Sequence, residues 1–537
     1  MKNPSLVLVF FIALAWFAFA DGNPVHAGGS SVATTPIPYR KCTPGGRGIP
    51  CRFWGIHVNN LTSYPLLVPY GQFRAWDGAD ASWPAIAVTC NPSSPPTDGC
   101  FAWGNLDEEL RHVKAAGVDD VFYTLSRTPP WAVTQQQQTD PGCNYHNLGS
   151  EYYGACYPPV DVLWDGTGTD QIWKNWVTAI ALHVNQKGYA GAHIKYWEIW
   201  NEIYRSPTLQ NAPPPYSFGG KYDQTTEGSY DQLVRMAEDA NCIITGRVTH
   251  IIENHEESCA AVLETVGLKN PIDPTAVIVS PSTSAPAATG ILENFLYCSN
   301  HPRQSCQHGD AGFKAVDIID AHLYAASVTP EFVVTNPNQL PAVIAIAGGK
   351  PVWNGEGSWG DTAPVPAENL WHDRFAQAGF IPRFFALYWS AGVTGNFWYG
   401  YDYLDEGDLF DPSETATSFP LLRPQADAWT HTYNWLAHAV PLRKPFCQAK
   451  GTIYHCDFRE GPTSHRPGHL ARLVWDSRYG QNCSEMKVPI ICGDTQYNVP
   501  EQFDEDWLDL RGTMHGLIEG ATNVVTIGAN PILLEGR

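Results

Sequence analysis

The 537-residue chain has no Cys-x-x-Cys pair among its 14 cysteines and no His-Glu-x-x-His among its 18 histidines. The first absence removes the common zinc and dithiol redox spacings, and the second a helical zinc-hydrolase signature, so neither a metal nor a cofactor is expected. No Gly-rich phosphate loop follows an early strand-like segment, which argues against a doubly wound nucleotide-binding fold. Basic residues are scarce: 33 Lys and Arg stand against 54 Asp and Glu, a net charge of −21. So acidic a chain is a poor partner for nucleic acid or an anionic membrane, whereas a neutral poly- or oligosaccharide remains compatible.

The uncharged apolar run at residues 6–20 is shorter than the roughly 20 residues that span a bilayer. Lys2 precedes it and the small-residue segment Asp21-Gly-Asn-Pro-Val-His-Ala27 follows, the pattern of a secretory signal peptide cleaved after Ala27, or else after Ala20. The cysteines agree with export. All 14 lie beyond residue 27 and fall into close neighbours: 42 and 51, 90 and 100, 143 and 156, 242 and 259, 298 and 306, 447 and 456, 483 and 492. Paired in that order they would staple short loops in an oxidising compartment, so the expected location is secreted, extracellular or periplasmic. Asn60-Leu-Thr62 and Asn482-Cys-Ser484 fit N-glycosylation sequons. The oligomeric state leaves no mark in the sequence.

Strand-like stretches at 53–57, 120–125, 194–200, 276–280, 318–324, 351–356 and 395–398 alternate with helix-like ones at 106–116, 171–186, 230–245 and 376–390. Seven such segments alternating with helices approach the eight strands of an α/β fold of the (β/α)8 TIM-barrel type, which is the expected architecture. From about residue 441 the texture changes to closely spaced β-like segments at 452–455, 471–475, 523–527 and 531–535, which predicts a C-terminal β-sandwich domain. The expected organisation is a signal peptide over 1–27, a catalytic barrel over 28–440 and the sandwich over 441–537. The sandwich carries no acid/base constellation of its own and reads as a packing partner for the barrel.

The chemistry concentrates at two strand ends. In Tyr196-Trp-Glu-Ile-Trp-Asn-Glu202, residues 196, 198, 200 and 202 are expected to share one strand face, and Asn201-Glu202 falls where the strand enters a loop. In Pro351-Val-Trp-Asn-Gly-Glu356 a second carboxylate ends a strand. That end of a barrel carries the active site. Two carboxylates facing each other across its mouth are what glycoside hydrolysis needs: one protonates the leaving oxygen and one attacks the anomeric carbon. Glu198, deeper on the same strand, reads as a paired interior carboxylate.

At these residues the sequence resembles the retaining glycosidases of clan A, most nearly the family 39-like members whose acid/base follows Trp-Asn-Glu on the fourth strand. The resemblance spans about residues 52–440. It implies that Glu202 is the general acid/base, Glu356 the nucleophile on strand seven, and Asn201 a hydrogen-bond partner of the sugar 2-hydroxyl. It further implies that His322 and Tyr324 surround the nucleophile and that Trp398 is a sugar platform at the end of strand eight. The segment Leu125-Ser-Arg-Thr-Pro-Pro-Trp131 also looks like the end of an early strand in those proteins. His57 and Arg127 are weaker candidates for substrate contacts, and Trp398 has a rival reading as a barrel cap. Two departures stand beside the match: cysteine-bearing insertions at 84–101 and 138–160, and Ile203 in place of the proline often found there.

The expected reaction is double displacement by a β-glycosidase, with Glu202 kept protonated by burial and by the charge on Glu356. A transglycosylase would use the same residues, and a non-catalytic carbohydrate-binding protein would keep the aromatics. The second would be expected to lose a carboxylate, and both are present; the first is not separated by sequence.

Overall fold

The computed structural model describes residues 48–139, 154–203, 230–248, 257–283, 289–298, 308–360, 371, 374–403, 406–410, 424–478, 492–503, 505–517 and 523–536. The expected signal peptide, Asn482, Cys42, Cys143, Cys306 and Cys483 lie outside them.

Eight parallel strands form the first layer: β1 (Trp54–His57), β2 (Gln72–Ala75), β3 (Asp120–Thr124), β4 (His193–Glu198), β5 (Val277–Val279), β6 (Ile319–His322), β7 (Val352–Gly357) and β8 (Val393–Trp398). Their order is β5-β4-β3-β2-β1-β8-β7-β6, and a parallel bridge from Val279 to Ile318 joins the two ends into a (β/α)8 barrel. The strand that the sequence pattern passes over is β2.

Side-chain alternation explains the barrel floor. Phe122, Tyr196, Trp353 and Phe397 point inward and pack on one another, with Trp353 and Phe397 ring centroids 5.4 Å apart. Glycines make the room: a Cβ on Gly55 would meet the Phe397 ring at 2.2 Å, and one on Gly395 the Trp353 ring at 2.7 Å. Outward residues of the same strands, such as Trp54, Ile56, Tyr123 and Trp197, join the layer shared with the helices. The helix Gln171–Asn185 shows why such helices form, because its buried Trp173, Trp176, Val177, Ile180 and Val184 recur at helical spacing on one face.

The second layer begins at residue 440. Strands β9 (Val440–Pro441), β10 (Cys447–Lys450), β11 (Ile453–Arg459), β12 (Leu470–Asp476), β14 (Asp506–Leu508), β15 (Met514–Gly516) and β17 (Ile532–Gly536) form an antiparallel sheet, while β13 (Thr495–Asn498) pairs with β16 (Val524–Ile527) in a separate ribbon. Along β12, Ala471, Leu473 and Trp475 pack with the barrel's helical layer, whereas Val474 packs with Val525 and Ile527 of the ribbon. The sheet therefore buries both faces. The helix Arg374–Ala391 lies between barrel and sheet and is buried on nearly every side, as its lack of a polar face requires. Glu331, buried there, accepts from Arg383 at 2.8 and 2.7 Å and from the Trp475 indole at 2.7 Å.

Three expected cysteine pairs are disulfides: Cys90–Cys100, Cys242–Cys259 and Cys447–Cys456, the last directly cross-strand between β10 and β11. Each of the other four pairs includes a cysteine outside the described residues. Among the described residues no helix is long and apolar enough to cross a membrane.

Candidate active site

Above the aromatic floor the barrel interior turns polar. Arg74 on β2 is fully buried and sits at the centre: one terminal nitrogen donates to Glu356 Oε2 at 2.7 Å, and the other to Glu198 Oε2 at 3.0 Å and Asn201 Oδ1 at 2.7 Å. Its cationic form is stabilised by Glu198, Glu356 and Asp320, which together outweigh the cost of burial. Glu198 also accepts from the Thr124 hydroxyl at 2.5 Å and the Ser282 backbone N–H at 3.1 Å. Below this level the Arg74 guanidinium stacks 5.4 Å from the Phe122 ring.

Glu356 reaches this network through a register break. The β7 pairings with β6 and β8 both shift near it, so that Glu356 aligns with His322 and turns inward although Trp353 and Gly355 also face the interior. Both its oxygens are held. Arg74 donates to one, and the Tyr324 hydroxyl donates to the other at 2.5 Å. Burial and the charge of Glu356 raise the Tyr324 phenol well above its ordinary value, which keeps it a donor.

Glu202 arrives differently from the expectation. β4 ends at Glu198, and beyond it Trp200 packs outward against Trp173 instead of sharing a face with Glu202. Glu202 itself has φ 49°, a left-handed backbone uncommon for a side chain of its size, and this re-aims it into the mouth. The turn is braced by the segment after β5: Glu202 N–H donates to Ser282 Oγ at 2.9 Å, and Ile203 N–H to the Ser282 carbonyl at 2.8 Å.

His322 at the end of β6 joins the two acids. Its Nδ1 lies 3.0 Å from Glu202 Oε1 and 3.6 Å from Glu356 Oε2, and one oxygen of each glutamate and a His322 nitrogen all fall within 4.8 Å of one another. Burial opposes a charge on His322, but Glu356 and the hydrogen bond with Glu202 prevail and push it up to about 9. Asp320, 4.0 Å away on the Nε2 side, is raised to about 7 by burial and by Glu198. Burial raises Glu202 as well, yet the His322 hydrogen bond and charge, with Arg127 and Arg74 behind them, hold it below the usual carboxylate range. His322, between the two carboxylates, thus favours the ionised form of Glu202 and is itself favoured as the cation, a direction opposite to the expectation that burial and Glu356 keep Glu202 protonated.

The remaining expected residues divide. Asn201 is buried with its amide oxygen committed to Arg74, which fixes the direction of its NH2 group. Arg127 is buried against the Trp76 ring at 4.9 Å and acts on Glu202 through its charge. Trp398 is not a platform. It is 0 % exposed, its indole donates to the Gly407 carbonyl at 2.7 Å, and it packs among Trp359, Phe384 and Trp429 on the outer side of β8. His57 is 1 % exposed, with Nδ1 3.1 Å from the Arg74 carbonyl and Nε2 3.0 Å from Asp77, so both ring nitrogens are engaged by protein groups beside β2.

Sequence reasoning missed Arg74 and Asp320. The signal for Arg74 was present in Gln72-Phe-Arg-Ala-Trp76, where polar and apolar residues alternate at strand period. A small cavity lined by Trp83, Phe101, Trp131 and Trp176 lies beneath the Cys90–Cys100 loop, and none of the charged cluster lines it. Residues 204–229, 361–370 and 411–423, which follow β4, β7 and β8 in sequence, lie outside the described residues.

No family model and no curated protein matches the chain. Among solved structures it is similar to a glucosidase from Croceicoccus marinus, at 12% identity over 92% of this chain and 97% of that one, with a TM-score of 0.48. It is also similar to CelM2, a bifunctional glucanase-xylanase from a metagenome library (12% identity, 91% and 96% covered, TM-score 0.47), and to Cel44A, a family 44 endoglucanase from Clostridium thermocellum (11% identity, 92% and 97% covered, TM-score 0.43). Identities this low assign no family, and function is argued from the side chains themselves.

Proposed function

We propose that the chain is a secreted retaining glycoside hydrolase that cleaves β-glycosidic bonds of a poly- or oligosaccharide, with Glu356 as nucleophile and Glu202 as general acid/base. One observation carries this reading: carboxylate oxygens of Glu202 and Glu356 lie within 4.8 Å across a single histidine. Retaining enzymes hold their carboxyl groups about 5–5.5 Å apart, whereas inverting ones leave about 6.5–9.5 Å for a water. Secretion is supported by the leader-like N-terminus and by the disulfides. The Trp-Asn-Glu motif supports a clan A relationship of the family 39 kind.

In this mechanism Arg74 and Tyr324 fix both oxygens of Glu356 so that the carboxylate is aimed at the anomeric carbon. As the glycosidic bond breaks, Glu202 passes the proton of the Glu202 and His322 pair to the leaving oxygen while Glu356 bonds to the anomeric carbon. Once Glu356 is esterified its charge is gone, and Glu202 takes a proton from the incoming water, which releases the sugar with its original configuration. Asn201, its oxygen pinned by Arg74, presents its NH2 to the sugar 2-hydroxyl. A panel of plant and microbial polysaccharides identifies the substrate. On it, Glu356→Ala abolishes turnover, and azide restores cleavage with inversion. Azide products of retained configuration, or turnover that survives the substitution, overturn the assignment.

A further inference from the structure

A second charged cluster lies in the β-sheet layer, outside the catalytic network. Glu535 on β17 pairs in register with Ala471 of β12, so its fully buried side chain leaves the sheet on the face turned to the barrel's helices. Glu460 follows β11 and is only 4 % exposed. Three residues on, the Thr463 hydroxyl donates to the carbonyls of Asn434 and Ala437, both at 3.0 Å, which seats this loop on the C-terminal end of the helix Pro424–Leu436. Two buried carboxylates thus meet near the negative end of a helix, where a counter-charge is needed.

The protein groups supply it only in part. Neither oxygen of Glu460 makes a hydrogen bond of standard geometry among the described residues, and the Ser464 hydroxyl is the near neighbour that favours its charged form. Arg466 is divided among Glu505 at 2.8 Å, Asp506 at 3.1 Å and Glu535 at 3.4 Å. His465, with Nε2 2.8 Å from Glu535 Oε1, is 38 % exposed and leaves the cluster open to solvent on its side. One ligand atom from each of Glu460, His465 and Glu535 lies within 4.8 Å of the other two.

We infer that Glu460, His465 and Glu535 form a structural site for a divalent cation of the zinc class. One imidazole nitrogen with two carboxylates is a donor set that zinc accepts, with solvent on the His465 side as a fourth ligand. Calcium and magnesium favour all-oxygen shells and fit it less well. Bound there, the cation ties the loop after β11 to the last strand and, through Thr463, to the end of a barrel helix.

The test uses the full mature chain, stripped with a chelator and titrated with zinc, magnesium and calcium chlorides in separate calorimetric runs. The expected result is one zinc per chain, with a Kd at least about tenfold weaker in Glu460→Gln and in His465→Ala, since each loses one of three protein ligands. At one zinc concentration the melting temperature of the parent rises more than that of either variant. His465→Ala alters a side chain open to solvent and Glu460→Gln keeps the side-chain shape, so ion-free melts close to the parent's identify folded variants. Absence of zinc binding by the parent overturns the proposal. So does equal affinity in both variants, or zinc lost on Glu202→Gln instead of on His465→Ala, which places the ion at the barrel mouth. Calcium bound by these residues with zinc refused overturns the zinc-class assignment.

Discussion

Arg74 holds three acceptors at once, and its removal leaves Glu198 and Glu356 buried without their shared counter-charge. Arg74→Met is therefore expected to lose activity and about 3–5 kcal/mol of stability, read from denaturant melts. Arg74→Lys restores the charge but not the fork, and activity stays low. His322 sets the pH response. Its folded-state pKa near 9 lies above the ordinary imidazole value, so the ion pair with Glu202 contributes stability below about pH 6.5 and loses it as pH rises through 9. The proton needed for bond cleavage leaves over the same range. The alkaline limb of kcat/KM is expected near pH 9, and His322→Asn is expected to move it down by at least about one unit, towards carboxylate values. Glu202→Ala is expected to spare the first step for substrates with activated leaving groups, measured as a burst of released aglycone. The two glutamates were legible because each ends a strand-like segment in a distinctive frame. The charge state of Glu202 was not, because it depends on His322, 120 positions away in sequence.

Strand β2 shows why an element escapes notice. It has four residues, and its polar Gln72 and Arg74 face the barrel interior while Phe73 and Ala75 face the helices, so no apolar run marks it. The other barrel strands were legible because apolar residues dominate them. Strand position was then a poor guide to direction: Trp398 ends β8 as a platform would, yet it points into the helical layer. Trp398→Ala is expected to cost about 3–5 kcal/mol of stability through the cavity it leaves, with KM for substrate unchanged. A rise in KM without a loss of stability returns it to the cleft. The cross-strand disulfide Cys447–Cys456 closes a short loop with a sequence separation of 9, and its removal by Cys456→Ser is expected to cost about 2–3 kcal/mol.

At the scale of the whole molecule, the β-sheet layer is part of the barrel's support. The described residues form one compact unit, and Leu473, Trp475 and Leu533 pack with barrel helices in a common apolar layer. The change of texture near residue 441 was legible in closely spaced β-like segments, and β9 spans Val440–Pro441. How much the two layers share was not, because Trp475 meets Glu331 from 144 positions away. Expression of residues 28–440 alone is expected to give an aggregated or early-melting product, since the helix Arg374–Ala391 would expose an apolar face. The pairing of Glu202 with Glu356 is tested most directly by trapping. The mature protein is incubated with activated 2-deoxy-2-fluoro glycosides of the sugar it cleaves, then digested and read by mass spectrometry. The expected result is one sugar on the peptide that contains Glu356. A sugar on another peptide, or turnover with inversion and no adduct, contradicts it.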